Sequence, residues 1–185
     1  MRILLDPILS ERTSPVLFAG PKRYSPTACT LDELPDVDLV VTSHDHYDHM
    51  DSDTLLKLYK KRKRSVHFLV ALENAPRIHG FGIGKDAVPE IDWREQALVD
   101  AAAVRSVTMT CTPSQHFSGR GILDHGSTLW CSWVMETIHP APIPVSDGPN
   151  EKKLFFAAWL VTQDTDMYPS MRTRTRCLAV LLFER

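Results

Sequence analysis

The sequence has no apolar run of the ~18–20 residues that a helix needs to span a bilayer. Its first residues hold neither a long apolar segment nor a small-residue cleavage site, so no secretory signal is expected. Charge of one sign is not in excess: 21 Lys+Arg stand against 23 Asp+Glu, a net charge of -2. A dedicated nucleic-acid binder usually carries a basic surplus, so no nucleic-acid partner is expected. Cysteine is sparse. Cys29, Cys111, Cys131 and Cys177 are widely spaced with no CxxC pair, which argues against a disulfide framework and fits a reduced, cytoplasmic setting. No glycine-rich phosphate loop occurs, and Ser14, Ser43 and Ser114 lack a GxSxG context. A dinucleotide fold and a serine-hydrolase elbow are therefore excluded. Internal repeats are also absent.

What remains is an ordinary core-forming chain of 185 residues, 43% hydrophobic and 24% charged, about one domain in length. Short apolar runs alternate with polar, proline-containing loops. Residues 3–5, 37–42 and 66–72 read as buried strands, rich in aliphatic and β-branched side chains. Residues 105–111 place Val107, Met109 and Cys111 on one strand face, and 128–134 and 154–158 are further strand candidates. Residues 51–61 read as a helix: Asp51 or Ser52 caps it, Leu55, Leu58 and Tyr59 share a face, and basic residues follow at the C-terminal end. Residues 178–183 are apolar, either an edge strand or an extension without a partner. Strands dominate and helices are few, which points to layered α/β or α+β with a mixed sheet.

Histidine is the unusual residue. There are eight, and His44, His46 and His49 fall within six positions, with Asp48 among them. At this composition, a His-x-His-x-Asp-His run arises by chance only about once in a thousand such sequences. It follows the 37–42 strand directly and precedes the helix. In extended backbone His44 and His46 point to the same side. The turn that follows can bring Asp48 and His49 toward the same place. Imidazole and carboxylate are ligands suited to zinc, and four of them in six residues can serve two adjacent metals. His116, in a loop after the 105–111 strand, is a further candidate.

His-x-His-x-Asp-His after a buried strand resembles the metallo-β-lactamase superfamily. The surrounding text narrows the likeness: Leu5, Asp6, Pro7, Ile8, Leu9 and Ser10; Gly20, Pro21, Lys22, Arg23 and Tyr24; residues 29–35; Ile91, Asp92 and Trp93; Thr112 to His116; and Leu129 to Trp133. In this order they resemble the N-acylphosphatidylethanolamine-hydrolysing phospholipase D family over residues 2–157. The resemblance implies an incomplete αβ/βα sandwich over 1–157 and a divergent tail over 158–185. It implies that His44, His46 and His116 hold one zinc, and that Asp48 and His49 hold a second and serve catalysis. It implies a bridging Asp, for which Asp164 is the displaced candidate after a six-residue insertion, and a final distal His that this sequence lacks. The implied reaction is hydrolysis of a phospholipid phosphodiester by water activated between zincs, yielding phosphatidic acid and an N-acylethanolamine, with peripheral contact to a membrane surface. With the insertion before Asp164, slower turnover than in a full-length relative is expected. Another hydrolase of the same fold (lactonase, thioesterase or nuclease) and a non-catalytic remnant are the competing readings.

Other residues are weighed beside these. His125 and His139 read as solvated loop histidines near the site, and His67 and His79 as structural. Trp93, Trp130 and Trp133 suit either an acyl-chain groove or a core. The basic run 60–64 suits a solvated helix end or an anionic headgroup.

Overall fold

The computed structural model describes residues 1–16, 18–62, 65–101, 105–138, 153–156 and 179–182. Strand β1 (Arg2–Leu5) pairs in parallel with β2 (Leu39–Thr42), β2 with β3 (His67–Ala71), and β3 with the short β4 (Glu90–Ile91). Helix α1 (Ser52–Lys61) follows β2, and α2 (Ala75–Gly80) follows β3. A second sheet is antiparallel, in the order β5 (Gln96–Ala101), β6 (Arg105–Thr112), β7 (Ser132–Ile138), β8 (Lys153–Phe156). Strand β9 (Ala179–Leu182) returns to the first sheet and pairs antiparallel with β1, which makes that sheet mixed and gives the apolar run at 178–183 an edge-strand place.

The alternation of side chains along each strand builds two cores. Leu4, Val40, Phe68 and Val70 face α1 and α2, packing with Leu55, Leu58 and Ile78. Ile3, Leu5, Leu39, Val41 and Leu69 face the second sheet, packing with Val107, Met109, Cys111, Trp133 and Met135. Strand β2 is therefore buried at every position, as a strand covered on both faces must be. The layers are thus helix, mixed sheet, antiparallel sheet, as in a metallo-β-lactamase-like α/β sandwich. Among the described residues no helix covers the outer face of the second sheet, and no helix is long and apolar enough to cross a membrane.

Helix α1 begins as the sequence indicates. Asp51 is its N-cap and accepts the amide of Asp53, while the same carboxylate accepts the Ser10 amide and hydroxyl and the Thr54 hydroxyl. One carboxylate thus closes the helix and ties it to the loop after β1. Strand β7 starts later than the pattern at 128–134 implies. The segment before it is spent on loop contacts, with the amides of Leu129 and Cys131 donating to the carbonyls of Leu72 and Ser43.

Candidate metal centre

The site grows from the C-terminal end of β2. The chain leaves the strand at Thr42, and residues 43–49 turn over the sheet edge before Asp51 starts α1. His44 Nε2 lies 3.0 Å from His46 Nδ1 and 2.9 Å from His116 Nε2. One ligand nitrogen from each of the three rings lies within 4.8 Å of the others. In a tetrahedral zinc centre, bonds of ~2.0–2.1 Å put ligand nitrogens ~3.3–3.4 Å apart. Two nitrogen pairs close to that spacing, with the third pair within 4.8 Å, suit a metal ion, and a small outward shift of the rings opens the space.

His49 belongs to the same cluster from the other side. Its ring centroid is 4.0 Å from that of His44, and its Nδ1 lies 2.7 Å from Asp6 Oδ2. Both His49 and Asp6 are almost wholly buried. Asp6 also accepts the Ser43 amide and hydroxyl at 2.8 and 2.7 Å, and the Ser43 hydroxyl lies 2.8 Å from His44 Nδ1. A carboxylate on the far nitrogen of a ligand histidine fixes ring orientation and raises its basicity. Asp6 stands in that position behind His49 directly and behind His44 through Ser43. Its backbone sits at φ 40°, a left-handed conformation unusual outside glycine. Its role was hidden in the sequence because it depends on β1 lying beside β2. The Leu5-Asp6-Pro7 signal marked the position but not its partners.

Asp48 lies half-buried in the same turn. Asp164 and His139 fall outside the described residues. His125 is exposed and stacks on Phe117, with ring centroids 4.5 Å apart, and Phe117 in turn meets His46 and His116 at 4.8 and 5.0 Å. His67 is exposed at the start of β3 rather than set in the core, and His79 is partly buried in α2.

Burial holds His46 below the usual imidazole value, against the opposing pull of Asp45 and Asp48. A neutral ring is the form that binds a metal. Burial also pushes the Cys131 thiol well above its ordinary range, with neighbouring Cys111 acting in the same direction, so this thiol stays protonated beneath the site. The tryptophans divide. Trp133 is fully buried in the core and donates to the Thr42 carbonyl. Trp130 donates to the Ser114 carbonyl and so steadies the turn before His116, while Trp93 donates to the Trp130 carbonyl. In the basic run, Arg62 pairs with Asp36 and Asp38 and Lys61 donates to the Leu31 carbonyl, while Lys60 is exposed.

Two further residues escaped sequence reasoning. Alternation along His44, Asp45 and His46 sends Asp45 the opposite way from its neighbours, under the turn. It is fully buried and accepts the Gly119 amide at 2.7 Å. Gly119 has φ 132°, and a Cβ there would meet backbone of Asp124 and His125 at 3.0–3.2 Å, so only glycine brings this amide to Asp45. Arg120 lays its guanidinium over the Tyr47 ring, 4.6 Å from its centroid, and donates to the carbonyls of Asp45 and Met50. The turn that follows His116 is thereby fastened to the turn that carries His44 and His46.

Comparison with known proteins gives a consistent picture. Residues 1–142 match the family described as Beta-lactamase superfamily domain. An uncharacterized protein of Mycobacterium tuberculosis is 39% identical over 154 residues, which is 83% of this chain and 36% of that protein. An N-acyl-phosphatidylethanolamine-hydrolyzing phospholipase D of Caenorhabditis elegans is 35% identical over 137 residues, 73% of this chain and 38% of its own length. A mitochondrial N-acyl-phosphatidylethanolamine-hydrolyzing phospholipase D of Saccharomyces cerevisiae is 33% identical over 143 residues, 77% of this chain and 29% of its own. The chain thus spans 29–38% of the length of these relatives.

Proposed function

The chain belongs to the beta-lactamase superfamily, and from that premise we propose that it carries the metal-binding part of a zinc-dependent phosphodiesterase of the phospholipase D type, acting on N-acylphosphatidylethanolamine. The observation that carries this reading is the meeting of His44, His46 and His116 at the end of β2, backed by Asp6. The named relatives from Caenorhabditis elegans and Saccharomyces cerevisiae support the substrate class.

In this reading His44, His46 and His116 would hold one zinc, and Asp48 and His49 would hold a second. Asp48 and His49 would also serve catalysis, and Asp164 would supply a further carboxylate ligand. Zinc in such a centre supplies Lewis acidity toward a phosphoryl oxygen and makes water acidic enough to attack near neutral pH. The protein's own part is to present neutral imidazoles and to hold them fixed. Burial keeps His46 neutral. Asp6 and Ser43 fix the His49 and His44 rings. Phe117, half-exposed beside His46 and His116, gives the mouth an apolar wall against which a lipid chain can lie. The substrate is presented from a membrane surface, which the protein meets peripherally.

The test is a zinc titration of the purified chain followed by assay on N-acylphosphatidylethanolamine, with phosphatidic acid and N-acylethanolamine as readouts. Zinc-dependent release of both products, lost in His44→Ala and reduced in Asp164→Ala, is expected. Turnover confined to lactones, thioesters or nucleic-acid diesters would replace the substrate class, and bound zinc with no turnover on any of them would leave a non-catalytic metal-binding chain.

A further inference from the structure

We propose that Arg77 is a positioning residue for the metal centre: by pairing with Asp45 and Asp124 at once, it sets the placement of His116 against His44 and His46. This rests on the reading that these three histidines bind the metal.

The argument begins with Asp45. Its side chain must point away from the ligand side, because its neighbours on both sides point toward it. A fully buried carboxylate is costly unless paired. The partner is Arg77 from α2, whose Nε lies 2.7 Å from Asp45 Oδ2, a charge contact rather than an aligned hydrogen bond. Helix α2 otherwise has no part in the centre. The same guanidinium turns its Nη2 to Asp124 Oδ2 at 2.8 Å and to the Ser127 hydroxyl at 3.2 Å.

Asp124 stands eight residues past His116, in a loop closed at its base. The Gly126 amide donates to the Ser118 carbonyl, and the Ser118 hydroxyl donates to the Thr128 carbonyl. Asp124 also gathers the amides of Arg120 and Gly121. The loop is therefore tied into one unit, and Arg77 joins that unit to Asp45, the residue lying between His44 and His46. A planar guanidinium serves two carboxylates in fixed geometry, whereas an ammonium is a point charge. Support of this kind around metal ligands typically changes affinity 10–100-fold.

The experiment measures zinc affinity by competition with a chromophoric chelator, well below the melting transition of each zinc-free protein. Wild type, His44→Ala, Arg77→Lys, Asp124→Asn and Arg77→Lys/Asp124→Asn are compared. Asn at 124 keeps an acceptor oxygen for the loop amides and removes the charge that faces Arg77, so it remains informative where Arg77→Lys fails to fold. Each single variant is expected to raise the zinc dissociation constant about 10-fold or more, and the double variant no more than the worse single, because both break one linkage. Wild-type affinity in Asp124→Asn, or effects that simply multiply in the double variant, would overturn the proposal. Zinc bound equally well by wild type and His44→Ala, or by neither, would remove the three-histidine reading itself and this proposal with it.

Discussion

The mixed sheet and the antiparallel sheet share a core yet differ in what they bury. At the end of β2 the mixed sheet buries a continuous polar run, Thr42, Ser43, His44 and Asp45, with His49 and Asp51 close behind. The antiparallel sheet turns Val107, Met109, Cys111, Trp133 and Met135 inward, an apolar surface. Polar groups are costly to bury unless each has a partner. In the first region the partners are supplied from afar: Asp6, Arg77 and Gly119 all come from other segments. The second region needs no such partners and gives the histidine cluster one ring, His116, from the loop beyond β6. The parallel half carries most of the histidine cluster, and the antiparallel half is mainly the platform beneath it.

The sharpest way to break this division is to damage the platform. Trp133→Ala removes the largest fully buried side chain among the described residues and its bond to the Thr42 carbonyl. A loss of about 3–5 kcal/mol of stability is expected, read by urea unfolding in chelator. Zinc bound per folded chain should not change. A variant that keeps its unfolding midpoint but loses zinc would put Trp133 in the centre rather than under it.

Damage to the polar half should show the opposite pattern. Asp6→Asn removes the charge behind His49 and Ser43. Zinc affinity is expected to fall about 10–100-fold, roughly 1.4–2.7 kcal/mol, as measured by chelator competition. Unchanged affinity would mean that the two rings need no carboxylate behind them.

Within the polar half itself, Asp51 caps α1 and holds Ser10. Asp51→Ala is expected to cost about 1–2 kcal/mol in the same unfolding experiment. A change below a few tenths would show that water replaces the cap.

What could be read from the sequence follows the same line. The run from His44 to His49 and α1 were legible because ligand spacing, capping and helix periodicity are local signals, whereas His116 stood out mainly through the family resemblance. The layered α/β class was legible from strand-dominated apolar runs. Helix α2, at six residues, is too short to show a period. Strand β5 was missed because one of its faces, at Leu98, lies in solvent, so its pattern carries little apolar weight. Strand β9 became an edge strand only through its pairing with β1. Asp6, Asp45, Arg77 and Arg120 were not legible as site residues. Their partners lie 32 to 75 positions away in four of the contacts that matter, and only the folded chain brings them together.

The smallest expected effect concerns pH, at the outer end of the Arg77 linkage. The amide of Arg120, the guanidinium of Arg77 and the amide of Gly121 hold the Asp124 carboxyl at about 2, below its ordinary 3.8. A carboxyl lowered by folding contributes stability that is fully present above the unfolded value and fades as pH falls through the folded one. In zinc-free protein, wild type should therefore melt above Asp124→Asn from neutral pH down to about 4, with the gap closing between about 4 and 2. Because Asp124 is partly exposed, salt should narrow the gap at neutral pH. Melting curves of the two proteins across this range, at low and high salt, check the sign directly. Taking the difference between them cancels the titration of the other carboxylates. A gap that widens on acidification would mean that Asp124 opposes the fold, and that the loop is held against the centre by Gly119 and Arg120 alone.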